Sequence, residues 1–404
     1  MISRFVAAVA VAGVVAACMP SPPAPHARAS AHGSTVGALL DEHFADPSLR
    51  GWKLDLGAST GAGPSSVAHV DSGSLLLAAD SATREFLSPT RVVDVGGARL
   101  VRVSVRVRTE DVSAAGARFV NCDAFVRFGS GPITAVTPIL TGTTPWTTVR
   151  RVVLVPDGSR DMTVGLFLSM PGRVWFDDLR VEPVDDEFVE QTSLHFVFRH
   201  LPGDAILPPL VQANDDAWER AAAFFGWSPA QPIVYWKYPD RATIEEYTGA
   251  ADNGIVINGE VHTIWPVEAH ELAHVFAARW GLPPALLAEG VGVYFSGQWQ
   301  GKAITEAASE LVQSGGWVTP AELIDTRSFR AKPDLVTYAV AGAFVQWIDE
   351  VRGRPVLREL YARLKAGASP RDNAAAFESV AGVSLEEAGR ELLASLTPTR
   401  PRAP

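Results

Sequence analysis

The stretch His270-Glu271-Leu272-Ala273-His274, with Glu289 fifteen residues further on, constrains this chain more tightly than any other feature of its sequence. Residues four apart on a helix lie one turn above the other on the same face, so His270 and His274 can aim two imidazoles at one cation. Glu271 sits beside them, free to act as a base. Leu272, Ala273, Val275, Phe276, Ala277 and Ala278 are apolar, which predicts a buried helix. Trp280-Gly281-Leu282-Pro283-Pro284 should end it, with Gly281 in the left-handed position past the helix and the prolines unable to continue it. Six residues lead from His274 to Trp280 and six more from Pro283 to Glu289. Each leg is about 9 Å as helix, so an antiparallel pair brings Glu289 level with His274. Two imidazoles and a carboxylate with a fourth place open form a catalytic zinc arrangement, not a closed structural one. The pentapeptide alone would be weak, since nine His in 404 residues yield an accidental match in roughly one such chain per hundred. The hairpin spacing, the apolar helix and the Glu289-Gly290 step are what carry the reading.

His270-Glu-Leu-Ala-His274 followed by Pro283-Pro-Ala-Leu-Leu-Ala-Glu289-Gly290-Val-Gly-Val-Tyr294 resembles the gluzincin zinc metallopeptidases. In particular it resembles the peptidase-MA-like group, where H-E-L-x-H is followed by a proline, an apolar run and A-E-G. The resemblance extends through Tyr338-Ala-Val-Ala-Gly-Ala-Phe-Val-Gln-Trp347 and spans roughly residues 192 to 397. It implies an α+β, mainly helical metallopeptidase domain over residues 185–397, with Zn2+ on His270, His274 and Glu289. Glu271 would be the general base and a peptide or protein the substrate. The metzincin pattern does not fit, because it needs Gly at 277 and His at 280, where this chain has Ala277 and Trp280. Several gluzincins place an acidic residue four after the ligand glutamate to orient a zinc histidine; here that position is Val293. The orienting partner has to come from elsewhere, or be missing. Gluzincins often present a Tyr or His to the developing oxyanion from a later helix, which makes Tyr338 the candidate donor. A core tyrosine is the competing reading, and Tyr294 is the weaker second choice. Such folds also pair an extended substrate with an edge strand just before the zinc helix, and Ile255-Val-Ile-Asn-Gly-Glu-Val-His-Thr-Ile264 reads as a strand pair or bulged strand there. His262 within it, like His195 and His200, reads more readily as structural than as a ligand.

The length implies two or three domains. A formal net charge of −10 with no long basic run excludes nucleic acid as an expected partner. Residues 1–17 read as a signal peptide: Arg4 gives the positive flank, and the apolar run Phe5 to Val15 is too short to span a bilayer of about 30 Å. Val15-Ala16-Ala17-Cys18 resembles a bacterial lipobox, in which the cysteine is diacylated and becomes the mature N-terminus. That implies a lipid anchor at Cys18 and a place in the bacterial cell envelope, facing away from the cytoplasm. An ordinary signal peptide that happens to end near a cysteine is the alternative. Residues 18–36, rich in Pro, Ala, Ser and His, read as a flexible tether in which His26 and His32 are solvated. Residues 398–404 read as a disordered tail. With Cys18 acylated, Cys122 has no partner for a disulfide and is expected to be a small buried residue.

Residues 37–184 read as an all-β sandwich. Leu100-Val-Arg-Val-Ser-Val-Arg-Val107 alternates as a half-buried strand, and Thr147 to Val155 and Met162 to Leu168 are further strands, broken by Pro156-Asp157-Gly158. Val174-Trp-Phe-Asp-Asp-Leu-Arg-Val181, together with Gly142-Thr-Thr-Pro-Trp146, resembles the jelly rolls of carbohydrate-binding-module type. A fold of that kind does not fix a ligand. Trp52, Trp146 and Trp175 are candidate sugar platforms, though large aromatics in a sandwich are more often core. Asp177-Asp178 are too few carboxylates to argue for calcium. The whole chain thus reads as multidomain, an all-β jelly roll followed by the helical metallopeptidase-like domain. Three functional readings follow: a membrane-anchored zinc metallopeptidase, a non-catalytic glycan-binding lipoprotein with a vestigial peptidase domain, and a zinc hydrolase of a non-peptide amide.

Overall fold

Alternating valines build the first half. In the computed structural model, which describes residues 37–56, 66–79, 87–113, 122–131 and 133–397, Val101, Val103, Val105 and Val107 turn inward and are buried. The intervening Arg102, Arg106 and Arg108 lie on the opposite face, as the period of two requires. The signal peptide, Cys18, the tether and the tail expected from the sequence lie outside the described residues. No helix among the described residues is long and apolar enough to cross a membrane.

In chain order the strands of this half are β1 (Leu40–Glu42), β2 (Lys53–Leu56), β3 (Ser66–Asp71), β4 (Ser74–Ala79), β5 (Leu87–Asp94), β6 (Leu100–Val112), β7 (Cys122–Phe128), β8 (Ile133–Ala135), β9 (Gly142–Leu154), β10 (Asp161–Leu168) and β11 (Gly172–Val184). One antiparallel sheet runs β3-β4-β11-β6-β9 with β1 added to β11, and the other runs β2-β5-β10-β7-β8. Their inner faces share a core of Leu75, Leu77, Val103, Val105, Val126, Val164, Leu166 and Phe176. Cys122 is buried in that core as a free thiol. The expected turn at Pro156-Asp157-Gly158 separates β9 from β10, with Gly158 at φ 76°.

The three tryptophans proposed as sugar platforms are engaged within the sandwich. The Arg106 guanidinium lies 4.6 Å above the Trp146 ring, and that of Arg108 lies 4.2 Å above Trp175. Trp175 also donates to Asp71 (3.0 Å). Trp52 donates to Glu42 (3.1 Å) and packs on Phe44. Asp177 and Asp178 meet His43 at the exposed surface. There His43 Nδ1 bonds one oxygen of Asp178 (2.8 Å), and Arg106 donates to the other (3.3 Å).

The second unit opens with β12 (Val189–Thr192), β13 (Phe196–His200), α1 (Pro208–Phe225), β14 (Ile233–Lys237), α2 (Arg241–Thr248), β15 (Gly254–Ile257) and β16 (Glu260–Thr263). Its sheet runs β12-β13-β14-β16-β15, parallel through β13, β14 and β16 and antiparallel at both edges. Asn258 and Gly259, both at positive φ, turn the β15–β16 hairpin, as expected of a two-residue Asn-Gly loop. Helices then follow: α3 (Ala269–Ala277), α4 (Ala285–Ser296), α5 (Ile304–Ser314), α6 (Thr326–Arg330), α7 (Asp334–Trp347), α8 (Arg354–Arg363), α9 (Pro370–Ala381) and α10 (Leu385–Leu396). The segment Ala242–Ala251, carrying most of α2, groups with the sandwich. There Glu246 accepts from Arg102.

Helix α1 starts at Pro208, where the proline occupies the first turn and its missing N–H costs nothing. One helix end differs from expectation. Gly281 does not take the left-handed cap. Helix α3 leaves through Ala278 in the right-handed region, and Gly281 sits at φ 152°. A Cβ on Gly281 would stand 2.8 Å from the Tyr361 carbonyl, so close approach to α8 is what demands glycine there. Thr319 and Glu322 form a capping box on a 3-10 turn (Pro320–Leu323). Ser384 caps α10 by accepting from the Glu387 N–H (3.1 Å).

One buried acid in the sandwich yields a pH test. Asp123 on β7 is 7% exposed, and burial pushes its carboxyl up to about 6. A folded-state value above the unfolded one means stability is greatest in acid and declines as pH rises from about 4 through 6. Asp123→Asn should therefore stabilise the sandwich by about 2–3 kcal/mol at pH 8 and by almost nothing at pH 4. Thermal unfolding at the two pH values measures the difference, and an equal effect at both would refute it.

Candidate metal centre

Helix α3 is buried on every side, from His270 to Ala277, a pattern expected of a helix inside a core. Phe276 packs on Phe225 and Trp227, and Trp227 donates to the Phe276 carbonyl (3.0 Å). Glu268 caps the first turn, accepting from the His270 N–H (3.1 Å). This burial fixes the helix, and with it the direction of both imidazoles.

Helix α4 returns alongside α3 and places Glu289 opposite them. Glu289 Oε2 lies 3.4 Å from His270 Nε2 and 3.6 Å from His274 Nε2. The three ligand atoms all lie within 4.8 Å of one another, and all three residues are buried. Two glycines allow this. A Cβ on Gly292 would fall 2.5–2.7 Å from the His270 ring. A Cβ on Gly290 would meet the Ala341 carbonyl at 2.6 Å, so α4 can also press on α7. The glycine pair in Glu289-Gly-Val-Gly292 was visible in the sequence as an unusual sacrifice of helix propensity, but its purpose was not.

His270 Nε2, His274 Nε2 and Glu289 Oε2 are buried without a hydrogen-bond partner, and so are both oxygens of Glu271. An unpartnered buried polar atom costs about 1–3 kcal/mol, so a cluster of them needs a physical reason. A divalent cation that takes imidazole nitrogen and carboxylate oxygen would satisfy the first three at once, and zinc is one of the metals whose ligand preferences fit the set.

Electrostatics separates the two glutamates. Burial would raise the Glu289 carboxyl, but His270, His274 and Arg330 outweigh it and hold the group at about 2. Glu271 has no such cation. Burial first, then the neighbouring Glu268, Glu289 and Asp252, raise its proton affinity well above the ordinary carboxylate range. Burial also pushes Glu268 up to about 7 and lowers the His270 imidazole, which favours its neutral, metal-binding form. One carboxylate is thus built to stay ionised and the other to accept a proton.

The remaining candidates divide. Tyr338 on α7 is fully buried, with its ring 6.1 Å from that of His270 and stacked on Trp299 at 4.7 Å. Tyr294 points elsewhere and donates to Asp349 (2.9 Å). His262 bonds the Tyr238 hydroxyl (2.9 Å) and stacks on Trp236. His195 stacks on Trp218 and pairs with Glu219, and His200 bonds the Leu201 carbonyl. The residue that sequence reasoning missed is Arg330, on α6. Its Nη2 donates to Glu289 Oε1 (2.5 Å) and its Nη1 to Tyr338 Oη (3.1 Å). No motif marks it, because a five-residue helix with arginines at 327 and 330 has no readable pattern that singles out either.

No protein-family model matches the chain, and no curated protein does. Among solved structures, similarity extends to the xylan-binding CBM22-1 domain of Paenibacillus barcinonensis Xyn10C, at 15% identity and a TM-score of 0.27, over 38% of this chain and 99% of that one. The C-terminal family 22 carbohydrate-binding module of Clostridium thermocellum Xyn10B matches at 14% identity and a TM-score of 0.25, over 37% and 97%. The enzymatically active domain of bacteriophage CBA120 tailspike protein 4 matches at 16% and 0.25, over 33% of this chain and only 20% of that one. Similarity at this level speaks neither to ligand nor to activity. The two-sheet sandwich rests on the strand order given above.

The tight approach of Gly292 to His270 gives a direct test. Alanine is the better helix former by about 1 kcal/mol, so Gly292→Ala should leave the helices intact while pushing the imidazole aside. Zinc affinity, measured by chelator competition, should fall at least about tenfold. Unchanged affinity would mean that the ring can move without consequence.

Proposed function

We propose that the helical unit is a zinc-dependent hydrolase of peptide bonds. The observation that carries this reading is the set of five buried, unpartnered polar atoms on His270, Glu271, His274 and Glu289. His270, His274 and Glu289 would hold the ion. Zinc bound there would supply Lewis acidity, polarising a carbonyl and bringing the pKa of water toward ~7.

The chain's own residues would do the rest. Glu271, with its raised proton affinity, takes a proton from water and passes it to the leaving amine. Strand β15 ends its sheet, and its first residue lies against the base: a Cβ on Gly254 would stand 2.9 Å from Glu271 Cγ. An extended substrate pairing with that edge would bring its scissile bond past Glu271. Burial raises the Tyr338 phenol far above its ordinary value, so it keeps its proton and is suited to donate to a developing oxyanion. The same proposal places the protein in the bacterial envelope through acylation of Cys18, which labelled-lipid incorporation and its loss in Cys18→Ala would test.

A second reading is a non-catalytic glycan-binding protein. It draws on the two-sheet sandwich itself, an architecture that lectin domains also use. The stacking of Arg106 and Arg108 on Trp146 and Trp175 weighs against those two rings as platforms. A zinc hydrolase of a non-peptide amide is the third reading.

Glu271→Gln should keep stoichiometric zinc and lose about 10²–10⁴-fold of hydrolysis, whereas His274→Ala should lose the metal. A panel of peptides against glycan amides separates the two hydrolase readings. Wild-type protein that holds zinc, cleaves neither class and binds a polysaccharide would sink the proposal in favour of the second reading.

A further inference from the structure

We propose that Arg330 is a positioning residue that fixes Glu289 as a one-oxygen ligand and, through the same guanidinium, directs the Tyr338 hydroxyl. The inference rests on the hydrolase reading above, in that it takes the centre to hold a divalent cation.

The two oxygens of Glu289 live in different surroundings. Oε1 accepts a charged hydrogen bond from Arg330 Nη2 at 2.5 Å. Oε2 faces the two imidazoles and has no hydrogen-bond partner. A carboxylate with both oxygens free can chelate a cation through both, filling a coordination place that substrate needs. Engaging Oε1 removes that option, because the oxygen of a carboxylate with no solvent exposure would have to abandon a charge-assisted bond. Val293 occupies the position from which a gluzincin-like acid would orient a histidine. In this chain orientation is applied to the carboxylate instead, and from the side away from the imidazoles.

The second arm acts on Tyr338. A guanidinium carries donors only, so its Nη1 must meet a lone pair of Tyr338 Oη, and the phenol proton is turned in another direction. The arginine is itself well held. Helix α6 is capped by Asp325, which accepts from the Ser328 N–H (3.0 Å), and the adjoining Phe329 is fully buried. A lysine could supply the charge to Glu289, but a point charge on a flexible stem does not span two partners in one plane.

Cobalt(II) loaded into the full chain in place of zinc reports coordination number through its visible absorption, independently of activity. Wild-type protein should show the strong bands of a four-coordinate centre. Arg330→Gln should show the weaker bands of a higher coordination number as Oε1 turns to the ion, with hydrolysis down about 10–100-fold at full metal occupancy. Arg330→Lys should keep the wild-type spectrum, because Glu289 is still held, yet lose kcat at unchanged KM, because Tyr338 is not. Should Arg330→Gln fail to fold, the lysine variant carries the comparison. A wild-type spectrum in Arg330→Gln overturns the clamp on Glu289, and a wild-type kcat in Arg330→Lys overturns the role at Tyr338. If wild-type chain takes up neither Co2+ nor Zn2+, the centre itself falls, which is a distinct result from a centre that binds metal and ignores Arg330.

Discussion

A carboxylate with no solvent exposure, shared between a guanidinium and two imidazoles, is the interaction on which the helical unit turns. Burying an ion costs several kcal/mol, and the cost is recovered only if its neighbours are placed well. Glu289, on α4, meets that condition with three cationic or protonatable partners from two other helices: α3 supplies both histidines and α6 the arginine. The position of each helix therefore matters to the others through a single side chain.

Close approach is what makes the sharing geometrically feasible. Gly290 and Gly342 let α4 and α7 come together until the Ala341 carbonyl and the Val293 side chain fill the spaces where Cβ atoms would be. Gly292 does the same for the His270 ring, and Gly254 lets the edge strand pass the base. Each glycine costs helix or strand stability locally. Set against a centre of unpaired polar atoms, that loss is small. The apolar packing of Phe225, Phe276 and Trp280 around α3 supplies the rigidity that such a centre needs.

The sandwich is built on different terms. Its valine core is independent of the helical unit's, and its outward arginines are neutralised by Glu182, Asp178 and Glu110 or stacked on tryptophan. Pairing of this kind ties strands together across one sheet, and a guanidinium covers a face of Trp146 and of Trp175. Its strands were legible from their period of two. What the aromatics do was not, since an indole reads the same in sequence whether its face is open or covered.

Local regularities were the part that sequence determined. The four-residue spacing put His270 and His274 on one face, and equal legs about Pro283 brought Glu289 to their level, because helix rise is a constant of the backbone. Alternation in Leu100–Val107 set the inner and outer faces of β6 for the same kind of reason. Tertiary structure alone decided the rest. Arg330 reaches Glu289 across forty-one residues of chain, Gly281 answers to a carbonyl on α8, and His262 turns to Tyr238 rather than to His270 and His274. None of these contacts repeats or has a period. Each exists only because separate elements pack at a fixed distance, and that distance is set by the whole core rather than by any stretch of residues.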